Sequence, residues 1–132
     1  MQQISGVGVS PGRSVGPLVR MPDPISEPAT GETLAEGERE AAAATVAEAA
    51  AVVKADLESR AASAAPEAKA LLEATAMMAA DPTLVNAAKG KVTKGSPPPR
   101  AVWDAADEVA TMLESLGGYM AERARDVQDV RD

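Results

Sequence analysis

The chain has 132 residues, of which 45 % are hydrophobic and 2 % aromatic, and it contains neither cysteine nor histidine. A disulfide framework, a thiolate metal site and a phosphohistidine are therefore excluded, together with the commonest general base. The formal net charge of −7 argues against nucleic acid as a partner. An acidic surface is usually just solvated, but it also suits a partner with a basic face.

The distribution of apolar residues indicates where the chain resides. There is no apolar run of about 18 residues that could span a membrane. The opening MQQISGVGV has no basic segment followed by a long apolar one, as a secretory signal would. We therefore expect a cytoplasmic protein without membrane insertion.

With so few aromatics the core must consist of Ala, Val, Leu and Met, which suits closely packed helices.

The first 21 residues differ in pattern from the rest. QQISGVGVSPGRSVGPLVRM alternates apolar and small residues around Ser10-Pro11-Gly12, which predicts two short strands joined by a turn. Two strands are hardly stable alone, so they would need a sheet supplied from elsewhere. Residues 22–32 contain three prolines and one glycine, and these predict a linker.

Residues 33–132 carry helical patterns throughout. A capping box at Thr33-x-x-Glu36 predicts the first helix, and Asp81-Pro82 predicts an N-cap followed by a proline at the first helical position. The predicted helices cover 33–63, 66–80, 82 to the KGKVTKG segment, 100–116 and 119–132. The last one lacks a terminating residue before Asp132, and with the unpartnered strands this suggests a piece of a larger protein.

No catalytic or metal site is predicted. Ser10 and Arg13 could contact a phosphate, but a turn serine is the better interpretation. Glu67, Glu73 and Asp81 are candidate paired carboxylates, but Glu67 and Glu73 lie six residues apart on different faces of their helix, so a shared acid/base site is not expected.

The adjacent Met77 and Met78 are more informative. Neighbours on a helix point about 100° apart, so only one of them can lie at the centre of a buried stripe. A methionine in a helix is usually buried in the hydrophobic core, yet methionine is also favoured on adaptable recognition surfaces. We expect Met77 to lie at the exposed margin and Met78 to help the core or a groove floor.

Three segments, ISGVGVSPGRSVGPL, LLEATAMMAADPTL and YMAERARDVQDVRD, together resemble one family. The first is similar to a strand–SPG–strand signature, the second to a hydrophobic helix ending at an Asp-x-x-Leu turn, and the third to a Glu-Arg-Ala-x-Asp-Val-x-Asp motif. In this order and spacing they resemble the N-terminal segment of Enzyme I, the phosphoenolpyruvate-protein phosphotransferase of the sugar phosphotransferase system. A small deletion falls near Gly117-Gly118.

The resemblance implies a fold and a role. Enzyme I moves phosphate from phosphoenolpyruvate to its own histidine and then to the carrier protein HPr. Residues 1–21 would be strands of an incomplete α/β phosphohistidine subdomain, and 33–132 a helical HPr-binding subdomain with a truncated last helix. The segment would be inactive alone, because the active histidine is missing. Magnesium belongs to the C-terminal half of the full-length family, and a homodimer could form through that half or through exposed strands.

The resemblance also implies docking residues. They comprise apolar contacts, acidic residues facing a basic carrier and one arginine: Glu67, Glu73, Met77, Met78, Asp81, Leu84, Leu113, Leu116, Met120 and Arg123. Leu113 and Leu116 depend on where the deletion is placed. Pro82 and Thr83 stand where acidic residues are common in the family, which predicts weaker electrostatic steering.

The expected fold is mainly α, an antiparallel helical bundle with a small N-terminal β-strand pair. Two other functions fit the sequence. One is the same module in a fused relative, such as a dihydroxyacetone-kinase subunit, or in a nitrogen-branch paralogue with another carrier. The other is a non-enzymatic helical adaptor, which would be stable and monomeric and would not bind HPr.

Overall fold

The computed structural model describes residues 3–132. A short 3-10 helix at Glu36–Glu38 leads into five α-helices. These are α1 (Arg39–Ala62), α2 (Pro66–Ala79), α3 (Pro82–Thr93), α4 (Pro98–Leu116) and α5 (Gly118–Arg131). The mainly helical prediction is confirmed, and most helix ends fall within two residues of the predicted ones.

The predicted N-terminal strand pair is wrong for the described residues. The chain bends at Ser10–Gly12, where Gly12 has φ of +109°, but the segments on either side do not pair and residues 3–132 contain no strand. The apolar side chains of Val7, Val9 and Val15 are almost fully exposed. A strand pair without a third strand or an apolar face to cover it is marginal, and the described residues offer neither. The prediction for Met1 and Gln2 lies outside the described residues.

The predicted capping box is also wrong, because extended chain continues past Thr33. The backbone N–H of Leu34 donates to the carbonyl of Gly95 at 2.8 Å, and Arg39 Nε donates to the carbonyl of Leu34 at 3.2 Å. The 3-10 helix is preceded by Ala35, which makes no capping bond through its side chain. Tertiary contact with the α3–α4 connection therefore overrides the local capping signal.

The side chain of Arg100 binds the extended segment that precedes the 3-10 helix, further upstream at Glu27 and Pro28. Its Nη1 donates to Glu27 Oε1 at 2.6 Å and to the carbonyl of Pro28 at 3.1 Å, while Nη2 bonds Asp104. The hydrogen bonds to Asp104 and then to Glu27 raise the pKa of Arg100 above its usual value. Residues 27–35, called the strap below, are thus held against the helices at both ends.

The helices pack in a ring. Helix α1 contacts α2 and α3, α4 contacts α3 and α5, and α5 returns to α2. Short connections fold α1 back on α2 and α4 back on α5. At the far end of α5, Arg131 bonds Asp107 at 3.0 Å and stacks over the Trp103 ring at 3.4 Å from its centroid. These contacts confirm that α4 and α5 run antiparallel.

The interior is made largely of alanine. Ten of the fourteen buried hydrophobic residues among residues 3–132 are alanines, and the others are three valines and Leu84. Small side chains let helix backbones approach closely, which the low aromatic content predicted. Within residues 3–132, none of the helices combines the length and hydrophobicity that crossing a membrane requires.

Candidate docking groove

The sharp corner between α2 and α3 positions one side of the site. Helix α2 ends at Ala79, and Asp81 Oδ1 accepts a hydrogen bond from the backbone N–H of Thr83 at 2.7 Å. Pro82 occupies the first position of α3, where its missing N–H costs nothing. The predicted N-cap is confirmed, and the corner carries Met77, Met78 and Leu84 to one end of the bundle.

The turn between α4 and α5 positions the other side. Gly117, with φ of +67°, separates the two helices, so the last turns of α4 lie beside the first turn of α5. The ψ of Gly117 is −178°, and only glycine adopts this combination of φ and ψ without strain. The turn brings Met112 and Leu113 next to Met120.

Between these two corners lies a cavity of about 490 Å³, called the methionine groove below. Four helices contribute to it. It is lined by Ala74, Met77, Met78, Asp81, Thr83, Leu84, Val109, Met112, Leu113, Met120, Arg123 and Val127.

The floor and the walls of the groove differ in burial. Leu84 and Val127 in the floor are buried in the core, and Met78 and Leu113 pack against it. The walls are exposed: Met77 is 73 % exposed, Met112 50 % and Met120 44 %. Met77 thus lies outside and Met78 against the core, as their spacing predicted. Their role in binding stays a prediction.

The structure brings seven of the ten predicted docking residues into this groove and leaves three outside it. Glu67 lies in the first turn of α2, at the opposite end from Met77. Glu73 pairs with Lys69 of the same helix at 3.8 Å, where both side chains are about half exposed. Leu116 is exposed at the end of α4 and does not line the groove. The contribution of these three is therefore not supported by the groove's shape.

Five lining residues were missed: Ala74, Thr83, Val109, Met112 and Val127. For Met112 a signal existed, since it sits beside Leu113 as Met77 sits beside Met78. A methionine next to the buried stripe of its helix is placed at the stripe's margin, where it can form a wall. Thr83 was missed because the resemblance implies an acidic residue at this position, and threonine departs from it.

The polar groups of the groove lie on its rim and do not form a catalytic set. Asp81 and Thr83 are exposed, and Arg123 is half-buried and makes no ion pair with another described residue. Across residues 3–132 no three carboxylates are grouped so as to hold a metal ion. An apolar floor with exposed methionine walls and a thin polar rim is suited to binding another protein.

Comparison with known proteins identifies the family of the chain. The family model for the N-terminal region of PEP-utilising enzymes matches residues 5–123. The chain belongs to this family. The match extends from the segment before the strap into α5, so it includes every residue of the groove except Val127.

A curated relative gives the family a named member. The phosphoenolpyruvate-protein phosphotransferase of Streptomyces coelicolor is 41 % identical over 130 residues, which cover 98 % of this chain and 23 % of that protein. The chain thus spans about a quarter of the relative's length. No solved structure matches the chain.

Proposed function

We propose that this chain is the carrier-docking segment of a phosphoenolpyruvate-protein phosphotransferase, and that HPr docks in the methionine groove. The family supports this assignment, since a relative 41 % identical over almost the whole chain is named as such an enzyme. The observation that carries it is the groove itself, where seven residues implied by resemblance to Enzyme I line one cavity.

The chemistry of the groove suits a docking partner. Its apolar walls can be buried against another protein surface, and methionine adapts to an irregular partner through three rotatable bonds. The net charge of −7 favours approach of a basic carrier. With no histidine in the sequence, these residues position the carrier and leave phosphate transfer to others. Phosphate would pass from an Enzyme I histidine outside the chain to the carrier's histidine, and positioning alone accelerates such a transfer strongly.

The cell compartment follows from this role. HPr and phosphoenolpyruvate are cytoplasmic, so the groove acts in the cytoplasm. The parent enzyme delivers phosphate for sugar uptake, with magnesium bound outside the present chain.

The test is an NMR titration of the chain, labelled at its methionine methyl groups and backbone amides, with HPr from the same organism. We expect saturable shifts for Met77, Met78, Met112 and Met120, and for amides at the α2–α3 corner. Met21 is an internal control because it is 81 % exposed and does not line the groove. Its methyl signal should not move.

Three other outcomes count against the proposal. Unshifted methyl signals from a folded sample would favour a helical adaptor. Shifts centred on Glu67 or Glu73 instead would move the docking surface along α2. Saturation by a nitrogen-branch carrier but not by the sugar-system HPr would assign the module to the other branch.

A further inference from the structure

The sulfur atoms of the chain are concentrated at one place. Four of its six methionines line the methionine groove, and the chain contains no cysteine. Methionine thioethers are therefore the only sulfur that an oxidant can attack. Three of the four are substantially exposed, namely Met77, Met112 and Met120.

We propose that these three methionines form an oxidation site through which peroxide weakens docking in the groove reversibly. This inference rests on the proposed function. A lone pair of the thioether sulfur attacks one oxygen of hydrogen peroxide, an S–O bond forms and the O–O bond breaks. Sulfur is oxidised by two electrons, and the leaving hydroxide takes the proton of the transferred oxygen and becomes water. The product, methionine sulfoxide, is returned to methionine by sulfoxide reductases.

The position of the three side chains makes the effect selective. A sulfoxide is polar, and burying it against an apolar partner without a hydrogen bond is unfavourable. The walls are not part of the buried core, so their oxidation leaves the helices folded. Met78 differs because it packs against the core, so it should react more slowly.

The first arm of the test follows oxidation without any partner. The chain is treated with hydrogen peroxide, and sulfoxide at each methionine is quantified by peptide mass spectrometry. We expect Met21 and Met77 to react fastest, Met112 and Met120 next, and Met78 last. Slow reaction at all three wall residues would overturn the proposal.

The second arm measures affinity for HPr before and after peroxide, by calorimetry. We expect the Kd to rise about tenfold, with an unchanged far-UV circular dichroism spectrum, and to recover after treatment with sulfoxide reductases. A variant with Met21→Leu should respond to peroxide like the unaltered chain. In the triple variant Met77→Leu, Met112→Leu and Met120→Leu the ratio of the two Kd values should approach one. Taking this ratio cancels any change in the variant's own starting affinity.

A third arm tests whether bound HPr protects the wall methionines from peroxide. HPr at ten times its Kd should slow oxidation of the three wall methionines about tenfold by mass action, while Met21 is unprotected. If the untreated chain does not bind HPr, the proposed function fails and this inference with it. If the untreated chain binds and the sulfoxide form binds equally well, only the oxidation site is refuted.

Discussion

The interior of the bundle and the methionine groove use opposite kinds of side chain for opposite tasks. The interior is dominated by alanine, which has no side-chain rotamers to lose on folding. The groove walls are methionines, which have many rotamers and remain exposed. A fixed packing of helices and an adaptable surface can therefore coexist within one small chain, because each is confined to its own residues.

This separation means that stability and recognition should respond to different substitutions. Core positions should change the free energy of unfolding, and groove walls should change affinity for the carrier. Four predictions test this division, beginning with the largest expected effect.

Overpacking the interior should be the most damaging change. Ala106 of α4 is completely buried, and Ala106→Leu should lower the free energy of unfolding by about 3 kcal/mol because the helices must move apart. Urea denaturation measures this. The control is Ala55→Leu, an exposed position of α1, which should stay within about 0.5 kcal/mol. Equal effects at both positions would mean that the interior is not closely packed.

Truncating a groove wall should alter binding and spare the fold. Met77→Ala should weaken HPr binding by about 1–2 kcal/mol if Met77 is a central anchor, with a nearly unchanged free energy of unfolding. Leu71→Ala is the matched control, because Leu71 is another exposed apolar residue of α2, 65 % exposed, that does not line the groove. Calorimetric titration of both variants decides the matter. An unaltered affinity for Met77→Ala would remove it from the docking site.

Substituting alanine for glycine should change the free energy of unfolding in opposite directions at two positions. Gly95 has φ of +108°, and an added Cβ would lie 3.0 Å from Thr33 Cγ2, so Gly95→Ala should destabilise by about 1 kcal/mol. Gly90 lies inside α3 with nothing within 4 Å of an added Cβ. Gly90→Ala should stabilise the chain by about 0.5–1 kcal/mol. Thermal unfolding of both variants tests the pair, and a shift in the same direction for both would contradict it.

The smallest effect is expected at the strap. Arg100→Met removes the bonds to Glu27 and Pro28. Exchange of the Leu34 amide, which donates to the Gly95 carbonyl at the other end of the strap, should accelerate while exchange in the middle of α4 is unchanged. Arg20→Met is the control, since Arg20 forms only an exposed pair with Asp23 at 3.9 Å. If exchange in the strap is the same in both variants, Arg100 does not hold it.

The parts of this structure that sequence predicts are those specified by near neighbours. The Asp81 cap, the helix-opening prolines and the order of the helices depend on a few adjacent residues. The strand pair failed because pairing requires a partner that the pattern of Val7, Val9 and Val15 cannot supply. The capping box failed because the Gly95 carbonyl, sixty-one residues from Leu34, competes for the same stretch of backbone.

The groove was predictable in part for the same reason. Met77 and Met78 were placed correctly by helical geometry, whereas inclusion of Leu116 and Glu67 required knowledge of how α2 and α4 are rotated and aligned. Resemblance to a family assigns a docking role to each residue by its matching position in the sequence. It cannot tell which of them a particular set of helix ends brings together.

The bond between Arg100 and Glu27 has a consequence for how the chain is made. The two residues are 73 positions apart, so at roughly 5–20 residues per second a ribosome needs about 4–15 s to pass from one to the other. Helices α1 and α2 can pair within that interval, since their contacts are local. Glu27 must wait, and the strap closes only after Arg100, in the first turn of α4, has emerged. A closed strap therefore marks a chain whose synthesis has passed the start of its fourth helix.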